Sequence, residues 1–98
     1  MVRAGMTRRI ERKIFRINDE IERLLQEERL VFEELQYHKH IADDARRDAA
    51  VGNADDRAFA RETQGDVPRF EQALSDLQRE RGALEVERAS LLSRLEDV

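Results

Sequence analysis

Acidic side chains and two histidines are concentrated near the middle of the chain. His40 and Asp44 are four residues apart, a spacing that puts both side chains on one face of a helix, where they could share a metal ion. More carboxylates lie close by, at Asp43, Asp48, Asp55 and Asp56. Because His38 and His40 lie on different faces of such a helix, four ligands do not converge. The pattern therefore favours solvated polar side chains over a metal site.

Other kinds of catalytic chemistry lack the residues they need. The chain has no Cys, which excludes thiol catalysis, a zinc ribbon and a disulfide framework. It has no Gly-rich phosphate loop, no nucleophile elbow and no calcium-loop spacing. A fold made of two helices also offers no cleft in which reactive groups could converge. We therefore expect neither an enzyme nor a cofactor.

The elements that carry these residues are two long amphipathic helices. Apolar residues recur at alternating steps of three and four, the heptad pattern of a coiled coil, and we call this stripe the seam. In the first half the seam comprises Ile10, Ile14, Ile17, Ile21, Leu24, Val31, Leu35, His38, Ala42, Ala45 and Ala49. In the second half it comprises Ala60, Thr63, Val67, Phe70, Leu74, Leu77, Leu84, Leu91, Leu95 and Val98. Folding the chain back on itself matches the two stripes, with Ile14 opposite Leu91, Ile21 opposite Leu84 and His38 opposite Val67.

The fold-back falls at Gly52-Asn53, almost the midpoint of the chain. Gly ends helices by adopting a left-handed conformation at low cost. Asn is a good N-cap, and Asp55 and Asp56 suit the positive first turn of the next helix. The sequence thus predicts an all-α fold, an antiparallel two-helix coiled-coil hairpin in which all 98 residues form one domain. The first helix is expected over about residues 7–51, after a Thr7 cap.

The second half carries a helix-breaking cluster. Gly65 is followed by Asp66, Val67 and Pro68, and Pro disfavours the helical conformation of the residue before it. We expect a short helix over about residues 54–64, a break near Gly65-Pro68, and a long helix over about residues 68–97. The alternative is a continuous helix that bends at Pro68.

Composition and charge narrow the function classes. Charged residues make up 41% of the chain, yet the net charge is only -4 because acids and bases are interleaved. That interleaving argues against a nucleic-acid-binding face, and the locally basic stretch from Arg3 to Arg16 fits a solvated helix surface. No apolar run approaches membrane-spanning length, and the N-terminus lacks the apolar core of a signal peptide. We expect a cytoplasmic protein without membrane contact.

Several large apolar residues lie outside the seam. Leu25 and Phe32 are one heptad apart and widen the apolar stripe on one flank, which a two-helix hairpin cannot cover. The residues predicted to bind a partner are Leu25, Phe32, Tyr37, Ile41 and Leu92. The favoured explanation is a homodimer in which two hairpins form a four-helix bundle. The other is a surface for a different protein partner.

A short stretch around the hinge resembles a known family. Asn53-Ala54, followed by Ala60-Arg61-Glu62-Thr63-Gln64-Gly65, is similar to the tip of the N-terminal coiled-coil domain of the Gre transcript-cleavage factors. In that family the tip is followed by a stretch of the form Ala-Arg-Glu-x-Gln-Gly. The family domain is a helical hairpin that enters the secondary channel of RNA polymerase.

The resemblance implies a channel-binding function without transcript cleavage. Aligning Asn53-Ala54 puts Ala49 and Gly52 where the family carries its metal-coordinating acids, and the family's globular C-terminal domain is absent from this sequence. Two function classes follow. One is a non-catalytic coiled-coil interaction or oligomerisation module. The other is a transcription regulator that inserts its hinge tip, namely Gly52, Asn53, Asp55 and Asp56, into RNA polymerase.

Overall fold

The computed structural model describes residues 2–97, with side chains from residue 4 onward. These residues form two helices, α1 (Val2–Val51) and α2 (Ala54–Glu96), joined at Gly52-Asn53. No strand occurs in this part of the chain. The predicted all-α helical hairpin and the position of its hinge are confirmed. The first helix begins at Val2 and not near residue 7, because adding a turn to an already formed helix costs far less than nucleating one.

The hairpin divides into two compact units, each built from part of α1 and part of α2. The first unit combines residues 2–27 with residues 77–97, and the second comprises Glu28–Asp76. In the first unit Ile10, Ile14, Ile17, Ile21 and Leu91 form one buried cluster, with Leu84 and Leu95 packed against it, and Leu24 is fully buried as well. Ile14 and Ile21 therefore pack in one cluster with Leu91 and Leu84, the residues predicted to lie opposite them.

Polar contacts between α1 and α2 border the core of the first unit. Lys13 Nζ lies 3.4 Å from a carboxylate oxygen of Glu87. Arg88, a charged residue at a seam position, donates a hydrogen bond from Nη1 to Asn18 Oδ1 at 2.9 Å. The arginine thus carries its charge out of the seam to a polar neighbour at the surface. Exposed pairs of this kind add little stability, so the aliphatic core does most of the stabilising in this unit.

Near the hinge, the core of the second unit is made of small residues, while the larger Leu35 is buried further from the hinge. Ala42, Ala45 and Ala60 are buried, and the buried Thr63 donates from Oγ1 to the Ala60 carbonyl at 3.1 Å. Further from the hinge, the rings of His38 and Phe70 stack with centroids 4.4 Å apart. The heptad register placed Val67 opposite His38, so this contact lies one turn along α2 from the expected one.

The predicted break near Gly65-Pro68 is wrong, because α2 runs through Pro68 as one helix. Gly65 does not adopt a positive φ and so does not cap a preceding helix. Seam residues on both sides of the proline hold α2 against α1, with Thr63 buried on one side and Phe70 stacked on His38 on the other. Tertiary packing of this kind outweighs the local preference of a single proline.

Among the described residues, no helix combines the length and the apolar character needed to cross a membrane.

Candidate functional site

The hinge tip is organised by reciprocal capping. Asn53 Oδ1 accepts hydrogen bonds from the backbone N–H groups of Asp55 at 3.0 Å and Asp56 at 3.1 Å. In return, the Asn53 N–H donates to Asp56 Oδ2 at 3.0 Å. This is a capping box, in which an N-cap side chain and a side chain three residues later satisfy each other's backbone donors. Asn53 is therefore the N-cap of α2, as the sequence predicts.

Gly52 is needed for space and not for a left-handed conformation. It has no positive φ, so the predicted left-handed helix end is wrong. A Cβ at this position would lie 2.7 Å from the Asp48 carbonyl oxygen and 2.7 Å from Asp56 Cγ, and closer still to Asp56 Oδ2. The end of α1 and the capping carboxylate thus close over the glycine. The Gly52 carbonyl accepts a hydrogen bond from Arg57 Nη1 at 3.3 Å.

The two acids of the hinge tip differ in their surroundings. Asp56 is half-buried and its carboxylate is engaged by the Asn53 backbone, whereas Asp55 is exposed. Sequence reasoning treated the two as equivalent. The capping geometry makes Asp56 a structural residue, so Asp55 is the acid of this pair that is presented to solvent.

The carboxylates near His40 are arranged as surface ion pairs. Asp43 accepts a hydrogen bond from Arg46 at 3.1 Å, and Asp44 is paired with Arg47. Across residues 2–97, no group of three or more His, Asp or Glu side chains lies close enough to hold a metal ion. Asp43 and Asp44 thus lie on the surface of α1 as partners of arginines.

Four of the five residues predicted to bind a partner are well exposed. In the first unit, 42% of Leu25 and 45% of Leu92 are accessible to solvent. In the second unit, Phe32 is 50% exposed and Tyr37 is 61% exposed, while Ile41 is half-buried. Large apolar side chains outside the seam therefore remain uncovered in both units.

The three residues of the second unit do not form one patch. Phe32 and Ile41 are nine residues apart, which puts them on opposite sides of α1. Tyr37 precedes Ile41 by four residues and lies on the same flank, with its ring edge-on to His38 at a centroid distance of 5.7 Å. Phe32 thus belongs to one flank of the hairpin, and Tyr37 with Ile41 to the other.

A groove that sequence reasoning missed lies on the Phe32 flank. It has a volume of about 360 Å³ and is lined by Lys39, Ala42, Asp43, Gln64, Val67 and Pro68. Val67, Pro68 and Ala42 supply apolar surface, while Lys39 and Asp43 provide opposite charges on α1. Lys39 lies one heptad beyond Phe32 and therefore on the same flank.

Pro68 also changes the hydrogen bonding of the groove wall. Proline has no N–H, so the Gln64 carbonyl lacks the backbone donor that an α-helix normally supplies four residues later. Gln64 and Pro68 both line the groove. The proline was the available sequence signal, but it was interpreted as a helix break and not as the wall of a surface groove.

Comparison with known proteins yields no match to a family model, a curated protein or a solved structure.

Proposed function

We propose that this chain is a non-catalytic coiled-coil module that works by self-association. The observation that carries the proposal is the split within each unit between a buried seam and exposed large apolar side chains beside it. In the first unit Ile10, Ile14 and Ile21 are at most 8% exposed, while Leu25 and Leu92 exceed 40%. A surface of this kind is typical of a helix that packs against another helix.

The thin core of a hairpin supports the same proposal. Two helices share one seam, and in the second unit much of that seam consists of alanine. Short side chains bury little apolar area, which is the main favourable contribution to folding. Burying Leu25 and Phe32 against a second copy would add the area that the single hairpin lacks.

The arrangement of polar groups supports a binding function over catalysis. The groove charges, Lys39 and Asp43, lie on one helix four residues apart, and Asp43 is already paired with Arg46. The hinge carboxylate of Asp56 is occupied in capping. These groups stabilise the helices and shape their surface, which is what a packing module requires.

The test is to place charge on the exposed apolar flank. The variant carries Leu25→Glu and Phe32→Glu, and we expect it to be monomeric at concentrations where the native chain is a dimer. The matched control carries Ala83→Glu and Ser90→Glu, two exposed positions one heptad apart on the outer face of α2. It adds the same number of carboxylates away from the flank and should remain dimeric.

Light scattering measures the mass of each variant, and circular dichroism checks that the helices persist. A helical monomer for the flank variant, with a dimer for the control, supports the proposal. A dimer that survives both flank substitutions contradicts it.

A second candidate function rests on the exposed acid of the hinge tip. We propose, as the alternative, that Asp55 contacts the secondary channel of RNA polymerase, the function implied by the resemblance to Gre coiled coils. Asp55 is exposed and its own N–H is bound by Asn53, so its charge sits on an ordered turn. Asp55→Asn removes the charge while keeping the cap. Unchanged polymerase binding and transcription in that variant would exclude this function.

A further inference from the structure

One flank of the second unit carries both an exposed aromatic side chain and a groove, so the same flank on two copies can form a symmetric contact. Phe32 is half exposed, and the groove of Lys39, Ala42, Asp43, Gln64, Val67 and Pro68 begins one heptad further along α1. Seven residues of helix span about 10.5 Å. An aromatic side chain on α1 at that distance from Lys39 cannot turn back into its own groove, but the same side chain of a second copy can enter it.

The groove has room for such a ring. Its volume is about 360 Å³, whereas an apolar cavity of about 150 Å³ is enough to hold benzene. Val67, Pro68 and Ala42 provide apolar surface for the ring, and the Lys39 stem can lie along its edge. A buried aromatic anchor seated in a pocket is the feature that dominates most protein interfaces.

Charges on the same flank fit an antiparallel pairing of α1 with its copy. Arg29, Gln36 and Asp43 are spaced by seven and lie one above another, next to the Phe32–Lys39 line. A two-fold axis through Gln36 puts Arg29 of each copy beside Asp43 of the other. The same axis brings Lys39 of each copy toward Glu33 of the other. It also puts Phe32 of each copy level with the groove of the other. Arg46, which is bound to Asp43 in the single chain, then shares that carboxylate with Arg29 of the other copy, and each of the other charges named here meets an opposite charge.

We propose that two copies associate through this flank about a two-fold axis at Gln36, with Phe32 of each chain seated in the groove of the other and Arg29 paired with the other chain's Asp43. This interface is isologous, so each favourable contact occurs twice. The inference rests on the proposed self-association and specifies which surface performs it and in which orientation.

Charge reversal tests the pairing. Arg29→Asp places two acids opposite each other at each of the two contacts, and Asp43→Arg places two arginines there. We expect each single variant to raise the dimer dissociation constant by about tenfold or more, since like charges across an interface are strongly unfavourable. The double variant, with both changes on one chain, restores opposite charges and should recover affinity close to the native value.

Mixing the two single variants gives a second, independent readout. An Arg29→Asp chain and an Asp43→Arg chain complement each other in a heterodimer, so the equimolar mixture should associate more tightly than either variant alone. Asp44→Arg is the matched control for Asp43→Arg, because it also breaks an ion pair with the arginine three residues later but lies off the flank. Arg16→Asp is the corresponding control for Arg29→Asp, because Arg16 is exposed and lies on the same off-flank line of α1 as Asp44.

The outcomes separate this interface from the broader proposal. This interface is supported if each single variant dimerises weakly, the double variant recovers native affinity, and the mixture of the two single variants associates tightly. If the native chain dimerises but the reversals have no more effect than their controls, or the double variant is as weak as the singles, then this interface is wrong and self-association uses another surface. A native chain that stays monomeric overturns both proposals.

Discussion

Asn53 and Asp56 each accept a hydrogen bond from the other's backbone N–H, at 3.1 Å from Asp56 N to Asn53 Oδ1 and at 3.0 Å from Asn53 N to Asp56 Oδ2. The pair closes the turn between the helices and sets where α2 begins. Because Gly52 lies beneath the Asp56 carboxylate, the end of α1 and the start of α2 share one small packed turn.

The first prediction concerns the coupling within this cap. Asn53→Ala and Asp56→Ala should each lower the free energy of unfolding by about 1 kcal/mol, because each leaves backbone donors without a partner. The double variant should lose less than the sum of the two, because each side chain helps to hold the turn in which the other side chain's hydrogen bonds form. Urea denaturation of the native chain, the two single variants and the double variant gives the coupling energy. Strictly additive losses in the free energy of unfolding would contradict a shared capping box.

The second prediction compares a glycine that has no room for a Cβ with a glycine that has room for one. Gly52→Ala should destabilise the protein, because the new Cβ would lie 2.7 Å from the Asp48 carbonyl oxygen and also collide with Asp56. Gly65→Ala is the matched control, since a Cβ there meets nothing within 4 Å on a helix. It should raise stability by about 0.5–1 kcal/mol through better helix propensity. Thermal melts of both variants are the measurement, and a stabilised Gly52→Ala would refute the steric account.

The third prediction concerns the helical proline. Pro68→Ala restores the backbone donor for the Gln64 carbonyl and should raise the free energy of unfolding by about 1–3 kcal/mol. Glu62→Ala, an exposed position on the same helix, is the control and should change stability little. Urea denaturation must compare the variants at one protein concentration, because association shifts apparent stability. A loss of stability in Pro68→Ala would mean that the ring packs more favourably than its missing hydrogen bond costs.

The fourth prediction concerns Arg23, which bridges Glu20 and Glu27 on the surface of α1. The hydrogen bond from Arg23 holds the pKa of the Glu20 carboxyl below its ordinary value. A depressed carboxyl pKa contributes stability above the ordinary pKa of glutamate, and that contribution is lost as pH falls through the depressed value. In Arg23→Gln the Glu20 pKa should rise toward its ordinary value in an NMR titration. An unchanged Glu20 titration would show that the pair does not persist in solution.

The fold was largely predictable because its determinants are local and periodic. The heptad seam identifies which faces of the helices pack, and Gly52-Asn53 marks the turn through residue types with well-known preferences. The same local reasoning failed at Pro68, where the cost of one missing hydrogen bond is opposed by seam packing on both sides, which a local pattern does not weigh. It also assigned the wrong reason to Gly52, because the closeness of Asp48 and Asp56 depends on the folded turn.

The candidate site was less predictable than the fold. The exposure of Leu25, Phe32 and Leu92 follows from their positions outside the seam. The groove does not follow from sequence positions in this way. It depends on the side chains of Lys39 on α1 and Gln64 on α2, which both line it. A contact between helices of this kind has no short-range sequence signature, whereas exposed apolar residues beside the seam can be identified from their heptad positions.

Self-association is the central claim, and the mass of the native chain in solution tests it most directly. Light scattering across a concentration series should show a species of twice the 11.5 kDa mass of one chain, dissociating only on dilution. A mass of one chain throughout the series would contradict self-association. The exposed flank would then be a binding surface for a different protein.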